Sequence, residues 1–408
     1  APDASPSPAA TQGLYGTKDP KFDGVFRQSL ALAAQSAVGV TPPKAAVEWL
    51  AGQQCADGGF AAYRADTAKP CDAKAGEFTA ATAAAVQGLA AAGGHAGAVT
   101  KGLAWLKSAQ NQDGGWGMNP GSPSDANSTA IAIGAYAAAG QDPAKATAGS
   151  GKSPYDALLS FQLGCDKKED ERGAFAYMPQ NNELAPNDLA SAAAALAALG
   201  KGFRVNTGKA DKADKPVKTL DCADGDTSKP KDPAAAADAV AAYLARKLDA
   251  NGGQLKSAMP GAPAGPDFGT TADATLALAA GGHREAAAKP LKWLESKDSK
   301  ALDWAKDQPG SLAKLILAAQ AAGANPRDFA GTDLVGQLAA TGPKPDAASS
   351  AAAEKKESEK KDEGGSGSGT WWFVGACSGA RPAARASASS PGLATSHPSP
   401  SSASSRST

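Results

Sequence analysis

The sequence has little of the charge imbalance and aromatic content on which many functional classes depend. Its 408 residues include 41 Lys and Arg against 41 Asp and Glu, so the formal net charge is zero, and aromatic residues make up only 6%. Binding to nucleic acid or to an anionic membrane surface requires a clustered basic excess, which this composition lacks. An apolar stretch of about 20 residues, the length that spans a bilayer, is also missing. We therefore predict no nucleic-acid partner and no transmembrane segment in the chain as written.

Strand-forming runs of Val, Ile, Thr and aromatic residues are almost absent as well, whereas Ala and Gly are abundant. Ala is the best helix former. Six Ala-rich apolar segments alternate with six amphipathic ones, and many of the apolar segments end in Gly, which is typical of helix ends. A helix that is apolar all round must be buried, while an amphipathic helix can face water. The predicted fold is all-α: an (α/α)6 toroid, with six inner and six outer helices in a double ring.

Composition divides the chain into three parts. Residues 1–22 are predicted to form an N-terminal extended segment, whose Ala-Pro start is typical of a chain from which a signal peptide has been cleaved. Residues 23–342 are the toroid, with a Lys- and Asp-rich insertion at 201–232 that is too polar for the core. Residues 343–408 are charged, then rich in Gly and Ser, then in Ser and Pro, so we predict a disordered tail.

The tail contains TWWFVGA, which is typical of the interfacial edge of a membrane anchor. One hypothesis is that a reading-frame change after Ala376 removed or altered such an anchor. The prediction is a monomeric protein that is secreted, or associated with the cell surface through the altered anchor.

The five cysteines are Cys55, Cys71, Cys165, Cys222 and Cys377, and none forms a CxxC pair, so we predict no zinc site. The first four lie in loop-like sequence and allow three pairings. Our preferred pairing joins Cys55 to Cys71 across one loop and leaves Cys165 for Cys222. Strict helix alternation places Cys165 on the opposite face from the root of the insertion, although the insertion is long enough to wrap across. Disulfides require an oxidising compartment, which agrees with export.

One pattern occurs twice where an outer helix leads into the next inner helix. It reads KAAVEWLAGQQCADGGF from Lys44 and KGLAWLKSAQNQDGGW from Lys101. The Gln amide can satisfy backbone groups at helix ends, and the Gly pair permits a tight turn. We interpret as structural the Trp and Gln of each copy: Trp49, Gln54, Trp105 and Gln110.

These residues match the QW motif, so the chain resembles the prenyltransferase and squalene–hopene (terpene) cyclase superfamily of α/α toroids. That resemblance implies either an acidic DxDD signature, which protonates an alkene in the cyclases, or a zinc ion held by Asp, Cys and His in the protein prenyltransferases. No two Asp residues are adjacent anywhere in this chain, and His95 and His283 lie half a circuit apart in the predicted ring. We predict no catalytic residues and no metal site, and we lean against an enzyme.

The chain also resembles the secreted cobalamin carriers, transcobalamin and intrinsic factor, in its helix count, export, loop disulfides and polar residues at inner-helix N-termini. In that family a corrinoid lies at the mouth formed by those N-termini, against a second domain. The resemblance implies a ligand-binding mouth here, although most of the same residues also suit helix capping. The residues are Glu77, Thr79, Thr82, Asp125, Asn127, Thr129, Asn187, Asp188, Thr270, Thr271 and Asp273, with Phe60 and Trp116 in the adjoining turns.

Three functions follow as alternatives. The first is an exported binding module for a small polar ligand, with a corrinoid (cobalamin-type) molecule as the one suggested cofactor, or for a second extracellular domain. The second is a terpene cyclase or prenyltransferase-like enzyme acting on polyprenyl substrates. The third is an (α/α)6 carbohydrate-active enzyme, which requires two converging carboxylates across the mouth. Its carboxylates would come from Glu77, Asp125, Asp188 and Asp273.

Overall fold

The computed structural model describes residues 11–16, 20–71, 79–205, 213–257 and 265–344. These residues belong to one compact unit, Ala1–Glu354. The described ranges contain thirteen α-helices and no strands, only isolated bridges. Apart from its first two residues, the predicted tail lies outside them. The helices are α1 (Pro20–Ala37), α2 (Lys44–Gly52), α3 (Thr79–Ala92), α4 (Ala96–Ser108), α5 (Ala126–Ala138), α6 (Pro154–Ser160), α7 (Asp188–Ala198), α8 (Pro233–Ala250), α9 (Phe268–Ala280), α10 (Arg284–Glu295), α11 (Ala301–Ala305), α12 (Pro309–Ala322) and α13 (Leu334–Ala340).

Six of these helices form a closed inner ring. Each of α1, α3, α5, α7, α9 and α12 contacts the next one in that order, and α12 contacts α1. The helices α2, α4, α6, α8, α10 and α13 alternate with them along the chain and pack around the ring. This arrangement confirms the predicted (α/α)6 toroid. The short helix α11 is an addition that the sequence pattern did not reveal.

The Ala-rich composition is explained by how closely the inner helices approach one another. Buried Ala residues line the contacts between them, and two contacts need an even smaller residue. A Cβ on Gly88 of α3 would lie 2.7 Å from the Cα of Ser29 in α1, and a Cβ on Gly134 of α5 would lie 3.0 Å from the side-chain nitrogen of Gln87. Larger side chains at these contacts would push the ring apart, because packed interiors leave little room for extra volume.

The segment before α1 closes the ring between its first and last repeats. Tyr15 is fully buried, and its hydroxyl donates to Gln35 Oε1 at 2.9 Å. Burial raises the pKa of this phenol to about 12, against a smaller lowering by the Gln35 hydrogen bond. The Gln28 amide nitrogen donates to the carbonyls of Gly13 and Ala46, both at 2.9 Å, while Gly16 N–H donates to Thr341 O at 2.8 Å. Residues 11–16 therefore form part of the toroid.

Both predicted disulfides, Cys55–Cys71 and Cys165–Cys222, are confirmed. The structure differs from the expectation that Cys165 lies opposite the root of the insertion. The loop after α6 packs against the beginning of α8, where the insertion re-enters the ring: Cys165 N–H donates to Ser228 O at 2.9 Å. The part of the insertion that leads into α8 therefore lies beside Cys165.

Within the described ranges, no helix is at once long enough and apolar enough to cross a membrane.

Candidate functional site

A cavity of about 260 Å³ lies at the centre of the inner ring. It begins at the first turns of the inner helices, where Asn127 and Leu189 line it, and reaches the level of Gly134 and Leu196. Seven residues separate the two levels in both α5 and α7, and at 1.5 Å per residue the cavity is about 10 Å deep. The N-termini of the inner helices form its mouth.

Most of the cavity wall is apolar. Inner-helix positions at helical spacing supply it, and many of them are only half-buried because they face the empty centre rather than another helix. This pattern explains why the inner helices read as apolar on all sides in the sequence. The apolar lining comes from Phe26, Leu30, Ala80, Ala130, Ile131, Leu189, Ala192, Ala193, Leu196, Ala197 and Leu276.

The opposite end of the cavity is closed by residues Lys201–Val205, which we call the plug. The Phe203 ring packs edge-on against Phe26 of α1, with the ring centroids 5.9 Å apart. Lys201 Nζ donates to Ala280 O at the end of α9, at 2.7 Å. Burial lowers the pKa of the Lys201 amine. The plug is the start of the insertion that was predicted to be too polar for the core, so in this respect the structure differs from the expectation.

A buried amide holds the plug in place. The Gln87 side chain, 2% exposed, accepts from Phe203 N–H at 2.8 Å and donates to Ile131 O at 3.2 Å. Gly202 makes the approach feasible, because a Cβ there would lie 2.5 Å from Gln87 Oε1 and 2.8 Å from Gly134 O. This contact could not be predicted from the sequence, since Gln87 lies in an otherwise apolar inner helix.

Three polar groups lie in the upper part of the cavity. Lys314 of α12 and Asp273 of α9 form an ion pair between neighbouring helices, and both side chains are partly exposed. Asn127 of α5 lines the cavity too, and its Oδ1 is buried without a hydrogen-bond partner among the described residues. Of the predicted mouth residues, the structure therefore brings Asn127 and Asp273 to the cavity.

The predicted structural glutamines occupy equivalent places in the connections between outer and inner helices. Gln54 Nε2 donates to the carbonyls of Gly58 and Ala98, at 3.0 and 2.9 Å. Gln110 Nε2 donates to those of Gly114 and Ala146, at 2.8 and 2.6 Å. Each amide thereby bonds one carbonyl of its own loop and one carbonyl of the outer-layer segment that follows in the chain. We call these connections, residues 53–60 and 109–116, joint loops.

A third joint loop, residues 162–175, escaped the sequence pattern. Gln162 Nε2 donates to Gly173 O and Ala236 O at 3.1 and 3.0 Å, as in the other two loops. Six residues separate the Gln from the aromatic residue in the first two loops, whereas Phe175 lies thirteen residues after Gln162. The remaining signal was a Gln after an outer helix followed by Gly-Ala-Phe.

Several predicted mouth hydroxyls accept hydrogen bonds from the segments that lead from an outer helix to the next inner helix. In four of these segments, an apolar residue donates its backbone N–H to a hydroxyl on the following inner helix. The ring side chains of Phe60 and Trp116 are fully buried, and Trp116 Nε1 donates to Leu106 O at 2.7 Å. The four backbone bonds are Phe60 to Thr82 (2.9 Å), Trp116 to Thr129 (3.1 Å), Phe175 to Ser191 (2.9 Å) and Leu255 to Thr271 (2.9 Å).

Other predicted mouth residues either cap the first turns of the inner helices or bind neighbouring polar groups there. Asp125 accepts from Ser128 N–H at 2.8 Å, and Asn187 accepts from Ala190 N–H at 2.9 Å. Thr79 Oγ1 donates to Gly117 O at 2.8 Å. Thr270 donates its hydroxyl to Asp267, the N-cap of α9, at 2.8 Å. Glu77 lies outside the described residues.

The three described carboxylates among those proposed for a carbohydrate-active site each have a different partner. Tyr243 donates its hydroxyl to Asp188 at 2.6 Å, which joins α8 to α7. Asp125 is bound by both the backbone and the hydroxyl of Ser128, and Asp273 is paired with Lys314. Burial raises the pKa of Asp125, although these hydrogen bonds oppose the shift.

The two motif tryptophans lie in the outer layer. Trp49 stacks on Tyr63 with ring centroids 6.5 Å apart. Trp105 Nε1 donates to Asp57 Oδ2 in the preceding joint loop at 3.1 Å. Both contacts link an outer helix to a loop, as a structural role requires.

The fold is thus a double ring of helices with repeated joint loops and a central cavity. A profile of the prenyltransferase alpha-alpha toroid domain matches residues 26–152 and 98–302, and the two matches together span more than half of the chain. The chain belongs to this family.

Two further comparisons add little. A crystal structure of a protein from Actinoplanes is 14% identical in sequence. The alignment covers 72% of this chain and 99% of that chain, with a TM-score of 0.30. The sequence has no significant match among curated proteins.

Proposed function

We propose that this toroid is a binding protein that takes its ligand at the mouth formed by the inner-helix N-termini. The observation that carries the proposal is the central cavity, which reaches the mouth at one end and is closed by Phe203 at the other. Ligand sites are typically concave and apolar, with a few polar groups that set orientation. Here those groups are Asn127 and the Asp273–Lys314 ion pair.

The ligand class we favour is a corrinoid, on the likeness to the secreted cobalamin carriers. Pockets that enclose drug-sized ligands measure roughly 300–1,000 Å³. A corrin macrocycle is wider than a cavity of about 260 Å³ admits, so it would lie across the mouth. Amide groups around the macrocycle match the amide of Asn127 and the charged side chains of Asp273 and Lys314.

A second protein surface over the mouth is the companion proposal. Among the described residues, the large apolar side chains with high exposure are Phe22 (81%) and Met118 (53%). Phe22 lies in the first turn of α1, and the Met118 carbonyl accepts from the N–H of Thr79, the first residue of α3. Both therefore lie at the mouth end of neighbouring inner helices. A partner domain that covered the mouth would bury them.

The test is a titration of the purified chain with cobinamide and with cobalamin, followed by absorbance, together with native mass spectrometry for retained small molecules. Binding well below millimolar concentration is the expected result, weakened by Lys314→Ala. Lys306→Ala, at an exposed position outside the cavity, is the matched control. Absence of corrinoid binding would refute the corrinoid, and absence of any retained or titrated ligand would refute the binding function.

A further inference from the structure

We propose that the cavity beneath the mouth is a subsite for a compact ring system of about two fused rings that carries an N–H or O–H donor. Asn127 would recognise the donor, and Phe203 would set the depth. The inference rests on the proposed binding function and extends it, because it names the chemical group that enters the ring.

Volume supports a group of this size. A buried apolar cavity of about 150 Å³ is large enough to bind benzene. The cavity here measures about 260 Å³. It therefore has room for a ring system larger than benzene, and it falls below the range of about 300–1,000 Å³ in which a drug-sized ligand is enclosed.

Shape favours rings over a long flexible chain. The plug ends the cavity about 10 Å below the mouth, a depth given by seven residues of helix. At that floor the rings of Phe26 and Phe203 meet edge to face, with centroids 5.9 Å apart. Aromatic rings attract further rings in offset or edge-to-face arrangements, beyond the effect of buried area alone.

The polar specificity comes from Asn127. Its Oδ1 is an acceptor without a hydrogen-bond partner among the described residues, and the residue lines the cavity. A buried acceptor left unpaired is costly, so a donor that reaches it is favourable. The χ2 torsion of Asn is broad and roughly two-fold, and a turn about it would bring the buried oxygen toward a ligand. The Asp273 carboxylate is already paired with Lys314.

The first experiment compares two probes of matched size against the full chain. Indole carries an N–H donor, and benzothiophene does not. Ligand-observed NMR and calorimetry are expected to show saturable binding of indole, about five- to tenfold tighter than that of benzothiophene, the factor that one hydrogen bond of ordinary strength supplies. Equal affinity for the two probes would refute the role of the donor, and absence of saturable binding by both would refute the subsite.

The second experiment tests whether Asn127 causes the preference for indole over benzothiophene. In Asn127→Leu the preference for indole should disappear, while benzothiophene binds at least as well as before. Asn325→Leu, at an exposed position in the loop after α12, should leave both affinities unchanged. A preference that survives in Asn127→Leu would assign the donor's partner to another residue and overturn this part of the proposal.

The third experiment changes the size of the cavity. Phe203→Ala should deepen the cavity and admit carbazole, a three-ring N–H donor that the unaltered chain excludes. Ala193→Phe, at a half-buried position on the cavity wall, should abolish indole binding, and Leu196→Phe is a second filling variant should the first not fold. Far-UV circular dichroism and thermal midpoints check folding. If a folded filling variant still binds indole, the subsite does not lie in this cavity.

The outcomes separate this inference from the proposed function. Corrinoid binding or a retained native ligand, with no binding of indole, would leave the mouth site in place and refute the ring subsite alone. Binding of indole without any corrinoid would keep the subsite and refute the corrinoid as the ligand.

Discussion

Two kinds of loop stabilise this toroid, and they differ in how often they occur. The joint loops, residues 53–60, 109–116 and 162–175, repeat one arrangement of a Gln amide on two carbonyls and a buried aromatic residue. The plug, Lys201–Val205, occurs once and is held by the buried amide of Gln87 and by the Lys201 amine. A repeated contact keeps successive repeats in register, whereas a unique contact shapes one place. The joint loops therefore secure the fold, and the plug determines what the cavity can hold.

The largest expected loss of stability is in a joint loop. Trp116→Ala removes a fully buried ring and the hydrogen bond from its Nε1 to Leu106 O. A buried Trp→Ala change costs about 3–5 kcal/mol, and the lost hydrogen bond places this one near the upper end, at about 5 kcal/mol. Urea denaturation followed by circular dichroism measures it. A loss under about 2 kcal/mol would mean that the joint is not a main support of the fold.

The two disulfides come next, because each anchors a joint loop, and Cys165–Cys222 also tethers the insertion. The cysteines of Cys165–Cys222 are 57 positions apart in the sequence, and those of Cys55–Cys71 are 16 positions apart. In the chain-entropy model, the paired Ser variants lose about 4 and about 3 kcal/mol respectively. Denaturation of each double variant under non-reducing conditions gives the comparison. The reverse order would show that native contacts, rather than loop length, govern the two losses.

A smaller effect is expected for the amide of a joint loop. Gln110→Ala leaves the carbonyls of Gly114 and Ala146 without their donor, which costs about 1–3 kcal/mol. Gln112, two residues further on, is exposed, and its replacement by Ala should change the free energy of unfolding by less than about 0.5 kcal/mol. Equal losses in the two variants would contradict the fastening role.

The plug should tolerate change better than the joint loops. Phe203 is half-buried, so Phe203→Ala should cost about 1–2 kcal/mol, less than the truncation of a fully buried ring. The variant should nevertheless gain carbazole binding while Trp116→Ala gains none. Parallel measurements of stability and carbazole affinity on the two variants test the division of roles. If Phe203→Ala unfolds the chain, the plug also supports the fold, and the proposed division of roles between plug and joint loops is wrong.

The smallest predicted effect concerns pH at the mouth. Burial raises the pKa of Asp125 above its ordinary value of 3.8, so ionising it costs more in the folded state than in the unfolded one. Its contribution to stability is therefore fully present below that ordinary pKa and is lost as the pH rises through the folded pKa. Asp125→Asn keeps an acceptor for Ser128 N–H and removes the ionisation. The difference in thermal midpoint between variant and parent should shift in favour of the variant as the pH rises, and a difference that does not change with pH contradicts the assignment.

Much of the candidate site could not have been predicted from residue types alone. Thr82, Thr129 and Thr271 have the polarity of ligand-binding residues at inner-helix N-termini, yet each accepts a backbone N–H from a neighbouring connection. A hydroxyl at such a place serves a loop or a ligand equally well in the sequence. Only the position of the loop relative to the helix decides between the two.

The double ring could be predicted from local sequence patterns. The alternation of apolar and amphipathic segments, the capping residues and the two motif copies act within one repeat or between adjacent ones, and such local contacts leave a periodic signal. The size and lining of the cavity, in contrast, depend on tertiary contacts. The meeting of Gln87 with Phe203 joins residues 116 positions apart, and the pairing of Asp273 with Lys314 joins residues 41 positions apart. Contacts of this kind have no period, because they depend on where the closed ring brings distant side chains together.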